Sequence, residues 1–197
     1  MFTDFQPGAH PGIFDWYTAL VGALTLCALA GHGALYLVWK TTGPVQARSR
    51  TWARRAWLAL LPLWALVSLA TVRVRPEIFT HLLARPWFLG FVVLMLAGVV
   101  GVFLFLRAGR ELAAFLSSSS FLLGLLVATM AGIYPVWLRS TIDPVHSLTA
   151  ANAAAGGYGL QVALVWWTVG IALAGGYFVY LFRSVRGKVA GAEEHGY

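Results

Sequence analysis

The side chains able to move protons, bind a metal or attack an electrophile are few, and their spacing suits none of these tasks well. There are seven carboxylates: Asp4, Asp15, Glu77, Glu111, Asp143, Glu193 and Glu194. Each falls in a tail, in a connecting segment or at the margin of an apolar run, whereas proton relays within a membrane keep ionisable groups at depth, where their cost is tolerated only for function. Of the five histidines, His10, His81, His146 and His195 lie in outer or tail segments, and only His32 lies inside an apolar run. Counted from Phe14, His32 is about 27 Å along a helix axis, far from His81 and His146, which argues against a bis-histidine haem within one copy of the chain. A single proximal ligand, or one shared with a partner, stays open. His32, with Tyr36 one turn further on, therefore has two readings: packing and interhelical hydrogen bonding, or contact with a quinone or another cofactor.

Other chemistries lack their signatures. Cys27 is the only cysteine and lies in an apolar run, so no intrachain disulfide or thiolate cluster is available and it reads as a small core residue. No P-loop, paired-cysteine motif, HExxH or GxSxG appears, and the second half does not repeat the first as a transporter built from inverted repeats would. The expectation is a chain with no catalytic centre and no metal site of its own.

What must position these few residues is a set of membrane helices. With 59% hydrophobic and 11% charged residues and a mean hydropathy of +0.75, the chain has too little polar surface to cover a water-soluble fold of this size. A helix crosses the hydrocarbon layer with roughly 20 apolar residues. Five runs meet or approach that length: about 14–39, 56–72, 87–106, 112–138 and 160–182. The second is short and begins at the Arg54-Arg55 pair. We expect one membrane domain over 1–197, all-α, with four helices in a bundle and a fifth peripheral.

Direction follows from charge. Lys40, Arg48, Arg50, Arg54, Arg55, Arg107, Arg110, Arg183, Arg186 and Lys188 fall on one side of such an arrangement, and only Arg73, Arg75, Arg85 and Arg139 on the other. Positive-inside bias places the N-terminus outside and the C-terminus in the cytoplasm. The first 39 residues contain no Lys or Arg, so the basic region of a cleavable signal is missing and the first run is expected to remain as a span. The net charge of +7 is thus explained by membrane flanks, and no nucleic-acid partner is expected.

Within the spans, Gly98, Gly101, Gly170, Gly175 and Gly176 would let backbones approach, with Ala172 and Gly176 at small-xxx-small spacing. The run Ser117–Ser120 faces every side of its helix and can bond to its own backbone or to a neighbour. Trp16, Tyr17, Trp87, Tyr134 and Trp137 would mark the outer interface, Trp39 and Trp57 the inner one. Between the fourth and fifth spans lies GIYPVWLRSTIDPVHSLTAANAA, an outer loop over 139–159, in which Pro135 ends or kinks the preceding helix and Asp143-Pro144 favours a turn. That loop is too long for an idle connector, which makes Pro135, Ser140, Ser147, Thr149 and Asn152 candidates for contact with another subunit or for a self-packed cap.

Several of these segments together resemble subunit II of the cytochrome bd-type quinol oxidases, specifically its C-terminal half. ALAGHGALYLVWKTTGPVQARSR, from Ala28 to Arg50, is similar to the family's His-Gly-Ala helix ending with Lys-Thr-x-Gly and basic residues. FLSSSSFLLGLLVATMAGIYPVWLRSTIDPVHSLTAANAA is similar to its serine-bearing helix, Gly-x-aromatic-Pro turn and Ser-Leu-Thr with Asn-Ala beyond. GYFVYLFRSVRGKV is similar to its last aromatic helix. Members of that family are usually about twice this length, with two four-helix bundles and one peripheral helix. The family's usual Ser-Ser after the turn is Arg139-Ser140-Thr141 here.

The resemblance implies a non-catalytic subunit in the bacterial or archaeal cytoplasmic membrane. It would stand beside a haem-bearing subunit I that carries haem b and haem d type groups, oxidises quinol and reduces dioxygen to water. The missing half would come from a separately encoded chain or a second copy. From the residues alone, a small quinone- or haem-binding anchor of another respiratory complex is the competing expectation, and a small transporter a third.

Overall fold

The computed structural model describes residues 14–140 and 143–189, so Asp4, His10, Thr141, Glu193, Glu194 and His195 lie outside the described residues. The chain divides into two units, one built from the chain up to Ile133 together with Val189, the other from Tyr134 to Lys188.

The first unit is a four-helix bundle with one short added helix. α1 (Trp16–Lys40), α2 (Gly43–Val74), α4 (Leu89–Arg107) and α5 (Glu111–Ile133) are its long members, and α3 (Glu77–Leu83) follows α2. α1 packs on α2, α4 on α5, and α5 also on α1 and α3. Leu35, Val38, Trp57, Leu60, Val102 and Phe121 are fully buried at its centre. Long apolar side chains such as Leu26, Leu69 and Leu104 face outward, as expected where the surrounding medium is hydrocarbon.

Local sequence sets the helix ends. Asp15 caps α1: its side chain accepts the Trp16 amide at 2.7 Å, and the Asp15 amide donates to Thr18 Oγ1 at 2.8 Å, completing a capping box. α4 ends on Gly109, whose φ of +69° lets the chain reverse so that the Arg110 amide reaches the Phe105 carbonyl at 2.9 Å. α4 and α5 approach closely because glycine occupies the seam. A Cβ on Gly98 would sit 2.6 Å from the Phe121 nitrogen, and one on Gly124 2.7 Å from the Phe91 carbonyl oxygen.

The apolar run expected from about Ala56 is only the later part of α2, which already begins at Gly43. The segment read as a basic connection is helical because it contains no breaker after Pro44, and Pro suits a first helical turn. The whole link between α1 and α2 is Thr41 and Thr42. Trp57 is also corrected. Read as an inner-interface anchor with its ring among headgroups, it is instead fully buried and edge-on to Phe121 at 5.3 Å.

The second unit holds β1 (Val136–Leu138), β2 (Leu148–Thr149) and α6 (Gly157–Ser184). The strands pair antiparallel. No residue of α6 is buried, and a methyl group at Gly170, Gly175 or Gly176 would meet nothing within 4 Å beyond the local turn of its own helix. Five helices, with α4 taken together with the turn before it, are long and apolar enough to cross a bilayer, and the chain is an all-α integral membrane protein.

Candidate functional site

Polar side chains that join separate segments of the described residues form clusters at both ends of the bundle, at His32 on its flank, and in the loop after α5. At the end where α1 and α4 finish and α2 and α5 begin, α2 presents Gln46 and Arg50 one turn apart. Gln46 Nε2 donates to the Val38 carbonyl at 3.0 Å and to Glu111 Oε1 at 2.7 Å. Arg50 donates to the Leu106 carbonyl at 3.1 Å and to Glu111 Oε1 at 3.0 Å. Every long helix of the bundle thus contributes a group. The arrangement has an electrostatic logic: donors meet the unpaired carbonyls ending α1 and α4, and a carboxylate begins α5, where the helix dipole favours negative charge.

The opposite end is closed in a similar way. His81 Nδ1 lies 3.0 Å from the Gly132 carbonyl, and Arg85 donates to the Ala131 carbonyl. A carbonyl only accepts, so Nδ1 of His81 carries the proton. Gly132 is needed here, since a Cβ on it would lie 2.5 Å from Ile78 Cγ2. Tyr17 and Thr71 join α1 to α2 at 2.9 Å.

On the flank of the bundle, His32, Trp39 and the exposed Tyr36 project from one side of α1 toward Phe115. The imidazole stacks on Phe115 at 4.7 Å and 25°, Trp39 stacks on it at 5.6 Å and 22°, and Tyr36 tilts against it at 5.6 Å. His32 Nδ1 is 2.7 Å from Ser118 Oγ, while Ser118 Oγ donates to the Phe115 carbonyl at 2.6 Å. A hydroxyl has one proton. Directed at the Phe115 carbonyl, it leaves the hydroxyl oxygen as acceptor for His32, so Nδ1 is the protonated nitrogen and Nε2 carries the lone pair. Neither Nε2 nor the Tyr36 hydroxyl has a hydrogen-bonding partner among the described residues. The other serines of the run, Ser117, Ser119 and Ser120, bond back to carbonyls of their own helix.

His32 and His81 reach α5 at Ser118 and Gly132, positions about 21 Å apart along its axis. One iron cannot bridge them. The donor set suits a group that donates a hydrogen bond to Nε2, such as a quinol hydroxyl, or a single axial ligation through that nitrogen. Among the described residues, no three of His, Cys, Asp and Glu gather as a metal site.

The loop candidates come together in one network. Ser147, which is buried, accepts the Ser140 amide on its hydroxyl at 3.1 Å, and its carbonyl accepts Asn152 Nδ2 at 2.9 Å. Asn152 Oδ1 takes the Thr149 amide at 2.6 Å, and the Asn152 amide donates to Thr149 Oγ1 at 3.1 Å. The Pro135 carbonyl accepts the Ala150 amide at 2.8 Å. Asp143 Oδ1 takes the Val145 amide at 2.9 Å, making the Asp-Pro turn read from the sequence. These polar side chains therefore serve the loop's own backbone, while Trp137, Leu138, Val145 and Leu148 are exposed apolar groups beside the exposed Arg139, Asp143 and His146.

Sequence reasoning missed the cluster of Gln46, Arg50 and Glu111. The signal was present in the spacing of Gln46 and Arg50 on one helical face, hidden by treating that segment as a loop. It also missed the aromatic partner of His32, since nothing in the sequence pairs Phe115 with a residue so distant from it.

The family model described as cytochrome bd terminal oxidase subunit II matches residues 2–185. No curated protein matches the chain.

Proposed function

The chain belongs to the cytochrome bd terminal oxidase subunit II family, and from that premise we propose that it is a non-catalytic membrane subunit of a quinol oxidase. Its role is to hold in place a haem-bearing subunit I, which carries the haem b and haem d type groups, oxidises quinol and reduces dioxygen to water. The observation that carries this reading is the placement of the described carboxylates. Asp15 caps α1, Glu77 starts α3, Glu111 starts α5 and Asp143 makes a loop turn. Each belongs to a helix end or a turn, which is scaffolding work. The basic end of the bundle would face the cytoplasm. A second four-helix bundle would come from a separately encoded half or from another copy, and the exposed side chains of the loop, Trp137 and Leu148 among them, would meet a neighbouring subunit.

Purification of the tagged chain from native membranes in mild detergent tests this reading. A haem-bearing membrane protein retained in the same particle, with quinol:oxygen activity, is the expected result. A lone stable chain with no haem-bearing partner overturns it.

The second reading, a small quinone- or haem-binding anchor of another respiratory complex, has one observation in its favour: the free Nε2 of His32 beside Tyr36. A haem spectrum from the isolated chain that disappears in His32→Ala would select this reading over the first.

A further inference from the structure

We propose that the groove between α2 and α4 at the basic end of the bundle binds an anionic phospholipid of the surrounding membrane. Arg54 and Arg107 would hold its phosphate, and Leu58 and Phe103 the upper part of an acyl chain. The groove has a volume of about 320 Å³, and Arg50, Thr51 and Leu106 complete its lining.

Three features select this occupant. The first is unspent charge: the carboxylate reaching this side, Glu111, already accepts from Arg50 and Gln46, and Arg54 and Arg107 have no hydrogen-bonding or ionic partner among the described residues. The second is the order of polarity along both walls. On α2, Arg50, Arg54 and Leu58 follow one another down a single stripe, one turn apart, so the wall changes from cationic to apolar within about 12 Å. α4 runs the other way and agrees, with Phe103 one turn deeper than Arg107. Charge lies at the rim and hydrocarbon below it, as in an amphiphile. The third is the surrounding medium. A free phosphate would use only the upper half of such a groove, and an acidic peptide would place unpaired backbone groups against its apolar half, which lipid-exposed sites do not tolerate. A phospholipid satisfies both halves, and basic pockets between membrane helices suit anionic headgroups.

The test uses the full chain in mild detergent, stripped of lipid and titrated with phosphatidylglycerol or phosphatidylcholine, with bound lipid counted by native mass spectrometry. Preference for phosphatidylglycerol is expected. Arg54→Gln combined with Arg107→Gln should weaken it roughly thirtyfold, at about fivefold per charge, while Arg48→Gln with Arg55→Gln should change it by no more than about twofold. Leu58→Trp keeps every charge and fills the lower groove, so it should weaken binding as well. Equal loss from the two arginine pairs would mean diffuse attraction and overturn the proposal. So would an unaffected Leu58→Trp variant, or inorganic phosphate that displaces the lipid as effectively as phosphatidylglycerol itself. A photoreactive group at position 58 that captures protein rather than lipid in intact membranes would also overturn it.

Discussion

Two polar clusters lie about 10 Å apart along α5, and they use polar groups in opposite ways. In the cluster of Gln46, Arg50 and Glu111, the amide and the guanidinium each reach two acceptors, and Glu111 Oε1 takes two donors. Around His32, one ring nitrogen is held by Ser118 and the other has no partner among the described residues. A cluster that satisfies its own members is accounted for by holding helices together. One that leaves a lone pair on a half-exposed ring retains capacity for a ligand that donates a hydrogen bond.

The contrast can be broken most severely by moving α5, which contributes to both clusters. Gly98→Leu forces a side chain into backbone at the α4–α5 seam and should destabilise the bundle by about 3 kcal/mol. Thermal unfolding in detergent would register this, with the His32 ring signals and the hydrogen bonds to Glu111 disappearing together. Glu111→Ala should cost about 2 kcal/mol by removing one of the two acceptors of each of Arg50 and Gln46 and leave the nitrogen-15 shifts of His32 unchanged. A change in those shifts would mean that the two clusters are coupled. Ser118→Ala should cost about 1 kcal/mol and have the complementary signature: the His32 proton would redistribute between its nitrogens, while the basic-end cluster stays intact. The smallest effect is expected away from both clusters. Ser147→Ala removes the acceptor of the Ser140 amide and should speed hydrogen exchange there by roughly fivefold, with little change in global melting.

Much of this was readable from the sequence, for physical reasons. Apolar runs of spanning length announce helices whatever their neighbours do, and Asp143-Pro144 announces its turn through local bonding. His32 stood out because ionisable residues inside a span are rare. What stayed hidden depended on neighbours or on a polar helix. The stretch from Gly43 to Arg55 is too charged to lie in hydrocarbon, so hydropathy divides α2 where its backbone does not. That one division concealed Gln46 and Arg50, while the burial of Trp57 depended on Phe121 of another helix. The loop candidates were chosen for their polar side chains, and the same hydroxyls and amide turn out to bind their own backbone.

The early start of α2 also bears on how the protein sits in bilayers of differing thickness. At 32 residues the helix is about 48 Å long against roughly 30 Å of hydrocarbon. Such a length is often accommodated by tilting, yet here the excess carries Arg48, Arg50, Arg54 and Arg55, which resist being drawn under. Hydrophobic mismatch would therefore be met by deformation of the lipid rather than by sliding of the helix, and the vertical register of the whole bundle follows from where four guanidinium groups meet water.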